Sequence, residues 1–236
     1  MKTFIIITTY NESENIVRLI NDIFILNIPD LFIIVVDDNS PDGTAAMVET
    51  AKQVYPNLYL IKRLNKLGIG SAYIAGFKKA LSLDADLIME MDADFSHNPK
   101  DIPRLIEVCV GGFHLAIGSR KITGGQIVGW NWKRQLMSAG AMMFARIFLG
   151  LRAKDVTAGF RCYRREVLEK IKLDNIKSNG YAFQEEMLYL TQKNKFQIKE
   201  IPVVFNDRAA GQSKLTNKDI REFFLTVLRL KFKRQK

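Results

Sequence analysis

Two carboxylates stand one residue apart in Met91-Asp92-Ala93-Asp94-Phe95-Ser96-His97, close behind the apolar run Leu87-Ile88-Met89. Hard divalent cations take oxygen ligands and usually keep waters and substrate phosphates in their shell. An Asp-x-Asp clamp at the end of a strand therefore suits a metal that bridges a diphosphate. The plainer reading is an acidic turn that solvates a strand end, and short motifs often match by chance. This pair has company, however. Tyr10-Asn11-Glu12, Asp37-Asp38-Asn39, Arg63 and Gly118-Ser119-Arg120 also follow apolar, β-branched runs.

The elements that must position these groups are legible as an alternation. Apolar runs at Phe4–Thr8, Leu31–Val36, Leu58–Ile61, Leu87–Met91 and Leu115–Ile117 predict strands. Helical patterns lie between them, at about 13–25, 44–54, 70–81 and 99–108. Ser13 is placed to cap the first helix, Ser40-Pro41-Asp42-Gly43-Thr44 supplies a turn and cap for the second, and Pro99 suits the first turn of the fourth. Continuous apolar strands alternating with helices predict an α/β chain with a mostly parallel central sheet covered by helices on both faces. Ligands bind at the carboxyl ends of such strands, where the strand order reverses. The polar groups named above are thus expected to converge on one crevice.

The second half changes character. Residues 121–129 are glycine-rich and aperiodic and read as a mobile loop. Residues 130–149 form a helical stretch with two readings: an ordinary core helix, or an interfacial helix with Trp130 and Trp132 at the water boundary and Lys133 and Arg134 facing headgroups. Ile198–Phe205 predicts one more strand. From Asn217 an amphipathic helix carries Ile220, Phe223, Phe224, Val227 and Leu228 on one stripe. Its basic end, Arg229 to Lys236, is either a solvated helix terminus or an anchor to anionic lipid, worth ~1 kcal/mol per basic residue near the headgroups. Residues 1–120 read as a nucleotide-binding half, 121–216 as the acceptor-binding half of the same domain, and 217–236 as the basic helix.

Composition narrows the partners. The 236-residue chain is 47% apolar and carries a net charge of +10. It can build a sizeable core, and its charge favours phosphate-bearing partners. Two cysteines, Cys109 and Cys162, form no spaced framework and are expected as free thiols, and two histidines, His97 and His114, are too few for a His/Cys zinc site. No run reaches the ~18 apolar residues of a membrane span, and no signal peptide is visible. A nucleic-acid-binding domain is disfavoured, since no recognition-helix or aromatic–basic strand pattern occurs and acids lie where a polyanion needs cations. A dinucleotide oxidoreductase fails too: Gly68-Ile69-Gly70 continues to Tyr73 where the fingerprint needs glycine, and this loop, with Lys66, instead suits an approach to a nucleotide.

Taken together, Thr8-Thr9-Tyr10-Asn11-Glu12, Val36 to Thr44, Asp92-Ala93-Asp94 and Gly118-Ser119-Arg120 resemble the family 2 glycosyltransferases. Further motifs extend the resemblance over nearly the whole chain: Trp130-x-x-x-Arg134-x-x-x-Ser138, Asp155 to Arg161, Gly180 to Met187, and Asp207-Arg208-x-x-Gly211-x-Ser213-Lys214-Leu215. They are similar to the polyprenyl-phosphate branch of that family, which includes the dolichyl-phosphate mannose synthases.

The resemblance implies a GT-A nucleotide-sugar fold and an inverting transfer of mannose from GDP-mannose to dolichyl or polyprenyl phosphate. A sibling using a UDP-sugar such as UDP-glucose is the alternative. It implies that Thr8, Tyr10, Glu12 and Asp38 hold the nucleoside, with Lys66 beside it. Asp92 and Asp94 would bind Mg²⁺ or Mn²⁺, with Ser96, where relatives often have Gln, a weaker third ligand. Arg120, Arg134, Ser138, Arg208 and Lys214 would gather phosphate oxygens, Arg134, Ser138 and Arg208 on the acceptor side. Glu185 or Glu186 is expected either on the sugar hydroxyls or on a solvated helix face.

Two departures stand out. Thr8 replaces a common proline, and the sequence closes without the carboxyl-terminal spans that many members carry. The expectation is therefore a peripheral protein on the cytoplasmic face of a membrane, docked by its own surfaces or by a membrane-spanning partner subunit.

Overall fold

The computed structural model describes residues 1–180, 182–207 and 217–232, with backbone alone for 217–220. Tyr181, Arg208, Gly211, Ser213, Lys214, Leu215 and the basic residues beyond Phe232 lie outside the described residues.

The predicted alternation forms. Strands β1 (Thr3–Thr9), β2 (Leu31–Asp37), β3 (Leu58–Lys62), β4 (Leu87–Asp92) and β5 (Leu115–Ser119) are separated by α1 (Ile16–Phe24), α2 (Thr44–Ala51), α3 (Ile69–Ser82) and α4 (Ile102–Val110). Because side chains alternate along a strand, β1 feeds two cores. Phe4 and Ile6 pack with Ile34, Val36 and Phe77 on the α3 side, whereas Ile5 and Ile7 pack with Ile33, Val35 and the α1 residues Leu19 and Ile20 on the other. All four β1 residues are fully buried, as a two-sided parallel sheet requires.

Two caps differ in detail. Ser13 does not cap α1, which begins three residues later behind Asn15; the Ser13 N–H instead donates to Asp42 Oδ2 at 3.0 Å, tying two loops together. The 40–44 turn behaves as expected, with Asp42 Oδ1 accepting from the Thr44 N–H at 3.1 Å and from its hydroxyl at 2.6 Å. Those bonds, through Thr44 and Ser13, hold the Asp42 carboxyl down at about 2 against its slight burial.

The second half completes the sheet rather than standing apart. β6 (Gln126–Val128), α5 (Trp132–Leu149), β7 (Arg161–Arg164), α6 (Arg165–Ile171), α7 (Phe183–Lys193), β8 (Ile198–Pro202), β9 (Val204–Asn206) and α8 (Asn217–Phe232) follow in order. The main sheet runs β3-β2-β1-β4-β7-β5-β8, with β7 antiparallel between β4 and β5. The predicted strand 198–205 is thus two strands. At Val203 the chain leaves the β5 ladder: its N–H donates to Ser119 O at 3.1 Å, while its carbonyl accepts from Gln126 N at 3.1 Å. It then pairs β9 with β6, so the stretch read as a mobile loop contains a strand.

α5 packs one face into the core, as the core-helix reading expects, and leaves apolar side chains on the other. Met142, Ala145 and Leu149 are buried, while Trp132, Leu136, Met137, Met143 and Ile147 are exposed. Trp130 is not at the water boundary; it is half-buried beneath Arg134. In α8 the buried stripe is Phe223, Thr226, Val227 and Leu230, so Phe224 and Leu228, read with the stripe, are exposed instead. Arg229 also departs from the solvated reading, since it turns inward to Glu186 Oε2 at 2.8 Å. No helix among the described residues is long and apolar enough to cross a membrane. Both cysteines are free and buried.

The α3–β1 contact depends on one missing side chain. A Cβ on Gly76 would lie 2.3 Å from Ile6 Cγ2. Helix propensity alone favours alanine over glycine by up to ~1 kcal/mol, but overpacking a core costs ~1–3 kcal/mol. Gly76→Ala is therefore expected to destabilise the protein by about 1–2 kcal/mol in urea titrations; a stabilised variant would show that α3 is free to move off the sheet.

Candidate active site

The strand order reverses between β1 and β4, which lie side by side and parallel, with β2 beyond one and β7 beyond the other. Their register sets Thr8 opposite Asp92. A cleft of about 190 Å³ opens there, lined by Thr8, Thr9, Tyr10, Glu12, Asp38, Lys66, Gly68, Ile69, Ala72, Asp92, Ala93, Asp94 and Gly180. It gathers seven residues singled out from the sequence for the donor and the metal: Thr8, Tyr10, Glu12, Asp38, Lys66, Asp92 and Asp94. The loop carrying Lys66, Gly68 and Ile69 reaches the cleft as anticipated.

The turns after the strands are fixed by local bonding. Asn11, Asn39 and Phe95, following β1, β2 and β4, all adopt left-handed backbone, with φ of 58°, 60° and 58°. Asp37 closes the β2 turn, accepting from Thr9 Oγ1 at 2.8 Å, Ser40 N at 2.9 Å and Ser40 Oγ at 2.6 Å. Its neighbour Asp38 is left on the cleft wall. Arg63 stands behind it, 2.6 Å from Asp38 Oδ1, and also donates to Ser71 Oγ at 2.7 Å. Arg63 therefore supports Asp38 and does not line the cleft. Burial raises the Asp38 carboxyl above its ordinary value despite that arginine. Lys66 Nζ sits 3.9 Å from the centre of the Tyr10 ring, a cation–π contact that holds its charge over the mouth.

On the β4 side, Tyr73 is fully buried and its phenol donates to Asp92 Oδ1 at 3.2 Å. The Ser96 N–H donates to Asp94 Oδ1 at 3.0 Å. Ser96 itself is buried and does not line the cleft, and its hydroxyl has no hydrogen-bond partner among the described residues. No group of three or more His, Cys, Asp or Glu suited to a metal occurs among the described residues. The two cleft aspartates fit a cation that takes few protein ligands and completes its shell with phosphate and water, the habit of Mg²⁺.

The arginines form a second cluster, joined to the first through rings. Arg120 donates from Nε to Asp155 Oδ2 at 2.7 Å and from Nη2 to Asp155 Oδ1 at 2.6 Å, with Thr157 Oγ1 at 2.8 Å. This bidentate pair is buried, Asp155 fully, and the guanidinium holds the Asp155 carboxyl down against its burial. Arg120 is therefore anchored beside the cleft and does not line it. Arg134 pairs with Asp207 Oδ2 at 3.0 Å and covers the Trp130 ring at 4.0 Å. It is 40% exposed, open enough to take a further anion. Ser138 lies one turn further along the same face of α5. From Trp130 the rings run to Phe205 at 5.9 Å and on to His97 at 5.6 Å, and His97 Nδ1 accepts from the Asp92 N–H at 3.4 Å. Burial holds that imidazole at about 4, so it is neutral at physiological pH.

Residues 4–172 match the sequence profile of Glycosyl transferase family 2. The chain belongs to that family. It is 40% identical to the polyprenol monophosphomannose synthase of Mycolicibacterium smegmatis, over 96% of this chain and 85% of that one. It is likewise 40% identical to the undecaprenyl-phosphate mannosyltransferase of Micrococcus luteus, over 97% and 93%. Among solved structures, glucosyl-3-phosphoglycerate synthase from Mycobacterium tuberculosis in complex with Mn²⁺, UDP and phosphoglyceric acid superposes with a TM-score of 0.69. That likeness covers 99% of this chain and 80% of the other at 17% identity, and it shows the shared GT-A fold.

This glycosyltransferase also departs from the sequence expectation at α7. Glu185 and Glu186 are buried, so neither lies on a solvated face, and neither lines the cleft. Glu186 is structural, accepting from Ser178 and Arg229. Glu185 has both carboxylate oxygens buried without a hydrogen-bond partner among the described residues. Tyr73 and the anchoring role of Asp155 escaped notice because each acts through a partner distant in sequence. The only hint for Tyr73 was a phenol in the small and apolar first turns of α3.

Burial raises the Glu185 carboxyl to about 8, with Arg161 opposing the shift. Its folded value thus exceeds its unfolded one. The folded state holds the extra proton between about pH 4.5 and pH 8, so this group's contribution to stability falls as pH rises through that window. Glu185→Gln is expected to flatten that loss, gaining at least about 1 kcal/mol on the wild type between about pH 5 and pH 9 in urea midpoints. Parallel pH profiles for the two proteins would mean the carboxyl ionises freely where it sits.

Proposed function

We propose that this glycosyltransferase moves mannose from GDP-mannose to a polyprenyl phosphate such as dolichyl phosphate, giving the β-linked mannosyl phosphate lipid and GDP. The observation that carries this reading is the convergence of Thr8, Tyr10, Glu12, Asp38, Lys66, Asp92 and Asp94 on one cleft at the β1/β4 switch. The mannosyltransferase names of the 40%-identical relatives support the sugar and the lipid. The TB glucosyl-3-phosphoglycerate synthase complexes hold Mn²⁺ or Mg²⁺ with UDP or UDP-glucose, which favours a divalent metal here and keeps a UDP-sugar as the second reading.

In this reading Asp92 and Asp94 hold Mg²⁺ or Mn²⁺, which when bound neutralises the leaving diphosphate. Asp38 accepts from base N–H groups, Thr8, Tyr10 and Glu12 line the nucleoside site, and Lys66 and Lys214 neutralise donor phosphates. Arg134, Ser138 and Arg208 take the acceptor phosphate. Arg120, neutralised by its bidentate pair with Asp155, braces the end of β5 beside the site rather than meeting either phosphate. A phosphate monoester is largely dianionic at neutral pH, its second pKa being ~6. One of its oxygens bonds to the anomeric carbon as the bond to the diphosphate breaks on the opposite face, so the centre inverts and no general base is required. Positioning and charge neutralisation carry the catalysis.

Incubation with a panel of labelled GDP- and UDP-sugars plus polyprenyl phosphate tests the donor: mannose from GDP-mannose is expected in the lipid phase, and glucose from UDP-glucose would establish the second reading. Asp94→Asn is expected to lower transfer at least ~100-fold, since a metal clamp supplies several kcal/mol of charge stabilisation. Normal turnover at saturating metal would remove Asp94 from the site.

The lipid acceptor also calls for a membrane surface. The exposed faces of α5 (Trp132, Leu136, Met137, Ile147) and α8 (Leu225, Leu228, Phe232) supply an apolar one, and the two helices meet through Phe144 and Phe224, whose rings are 5.0 Å apart. Peripheral binding to anionic vesicles is expected to weaken as salt rises, the Debye length being ~8 Å at physiological strength. Leu136→Glu with Ile147→Glu is expected to abolish co-sedimentation while leaving GDP binding unchanged. Failure of the intact chain to bind vesicles at low salt would transfer substrate delivery to a membrane-spanning partner subunit.

A further inference from the structure

We propose that Glu222 of α8 is a positioning residue for the donor cleft: through the backbone of Asn179 and Gly180 it sets the part of the cleft wall that Gly180 forms. The inference rests on the reading of that cleft as a nucleoside-diphosphate site.

Gly180 lines the cleft, yet it belongs to no helix or strand. The segment carrying it must therefore find acceptors for its N–H groups elsewhere. Glu222 provides them: its Oε1 accepts from the Asn179 N–H at 3.1 Å and from the Gly180 N–H at 3.2 Å. Two turns further along α8, Arg229 donates to Ser178 Oγ at 3.0 Å and to Glu186 Oε2 at 2.8 Å. Glu186 Oε2 in turn accepts from the Ser178 N–H at 3.0 Å and its hydroxyl at 2.6 Å. One side of residues 178–180 is thus held by α8 and by the α7 carboxylate that α8 neutralises.

The other side abuts the start of α3. The Gly70 N–H donates to Asn179 O at 2.9 Å. A Cβ on Gly68 would stand 2.6 Å from Asn179 O, and one on Gly70 would stand 2.7 Å from Ser178 O. Both positions must be glycine for the segment to seat this closely, and Gly68, with φ of +100°, also occupies backbone that other residues avoid. The segment is wedged between α3 and α8, and its position fixes the gap between Gly180 and the wall formed by Lys66, Gly68 and Ile69. Glu222 does not line the cleft, so it acts through Gly180 rather than on a ligand.

The test is calorimetric titration of GDP and UDP, with Mg²⁺, into the full chain and its Glu222 variants, beside melting temperatures without nucleotide. Glu222→Ala is expected to weaken nucleoside diphosphate binding at least ~10-fold, because two charge-assisted hydrogen bonds are lost. Glu222→Gln keeps an acceptor oxygen and is expected within ~2-fold of the wild type. A residue that only stabilised the fold would lower the melting temperature and leave the dissociation constant of the folded protein unchanged. Wild-type affinity in Glu222→Ala, or equal loss in Glu222→Gln, overturns the inference. Should Glu222→Ala not fold, Glu222→Asp, which keeps the charge but withdraws the acceptor by one methylene, is expected to show the loss; wild-type affinity there overturns it equally. If the wild-type chain itself binds neither GDP nor UDP, the reading of the cleft falls, and the inference with it; a wild type that binds beside an unaffected variant removes the inference alone.

Discussion

The parallel pairing of β1 with β4 is the constraint on which the rest of the molecule depends. These strands are far apart in sequence, and their register sets Thr8 beside Asp92. Chain order runs outward from β1 through β2 to β3 on one side and returns to β4 on the other. Helices covering a parallel sheet must then diverge at that seam, and a crevice opens at the carboxyl ends. Every cleft carboxylate sits in a turn leaving one of these strands or at its very end. The left-handed turns at Asn11, Asn39 and Phe95 follow, since each chain end must bend sharply to clear the crevice.

A second layer of order comes from charges placed where water cannot reach them. Arg161 is fully buried and donates to Gln184 O and Val156 O, both at 2.9 Å. Glu90 is buried nearby, accepts from Gln184 Nε2 at 2.5 Å, and is raised by burial to about 7. Asp155 is satisfied by Arg120. Such groups contribute little net stability, but breaking one partner is costly, so they define one arrangement of β4, β7 and α7. That arrangement holds Asp92 and Asp94 on a rigid floor. The proposed metal–phosphate chemistry would benefit from such a floor, because its catalysis would rest on charges already in place.

The strand–helix alternation, the cleft residues and the family were legible in the sequence because each is a local pattern. A buried parallel strand must be continuously apolar, so β1 to β5 declare themselves, and the polar residue that ends such a run stands out against it. Asp92, Asp94, Asp38 and Glu12 could therefore be expected in one cleft before any contact was known. The sequence by itself also determined that the chain is rich in positive charge and that phosphate is the ligand chemistry to expect.

Only the tertiary structure decided which charges line the cleft and which are committed to partners within the protein. Arg63, Arg120, Arg229 and Arg134 look alike in sequence; all four pair with carboxylates, Asp38, Asp155, Glu186 and Asp207, and Arg134 is the most exposed of them. Glu185 and Glu186 read either as sugar contacts or as a solvated helix face, and both are buried. β7 is only four residues long and bears two arginines, so nothing local marks it as a strand; it exists because β4 and β5 leave a gap it fills. The break at Val203 arises likewise from two ladders competing for one segment. The physical reason is common to all of them: periodicity encodes which side of an element is apolar, whereas the partner of a polar group is set by long-range geometry that no local pattern contains.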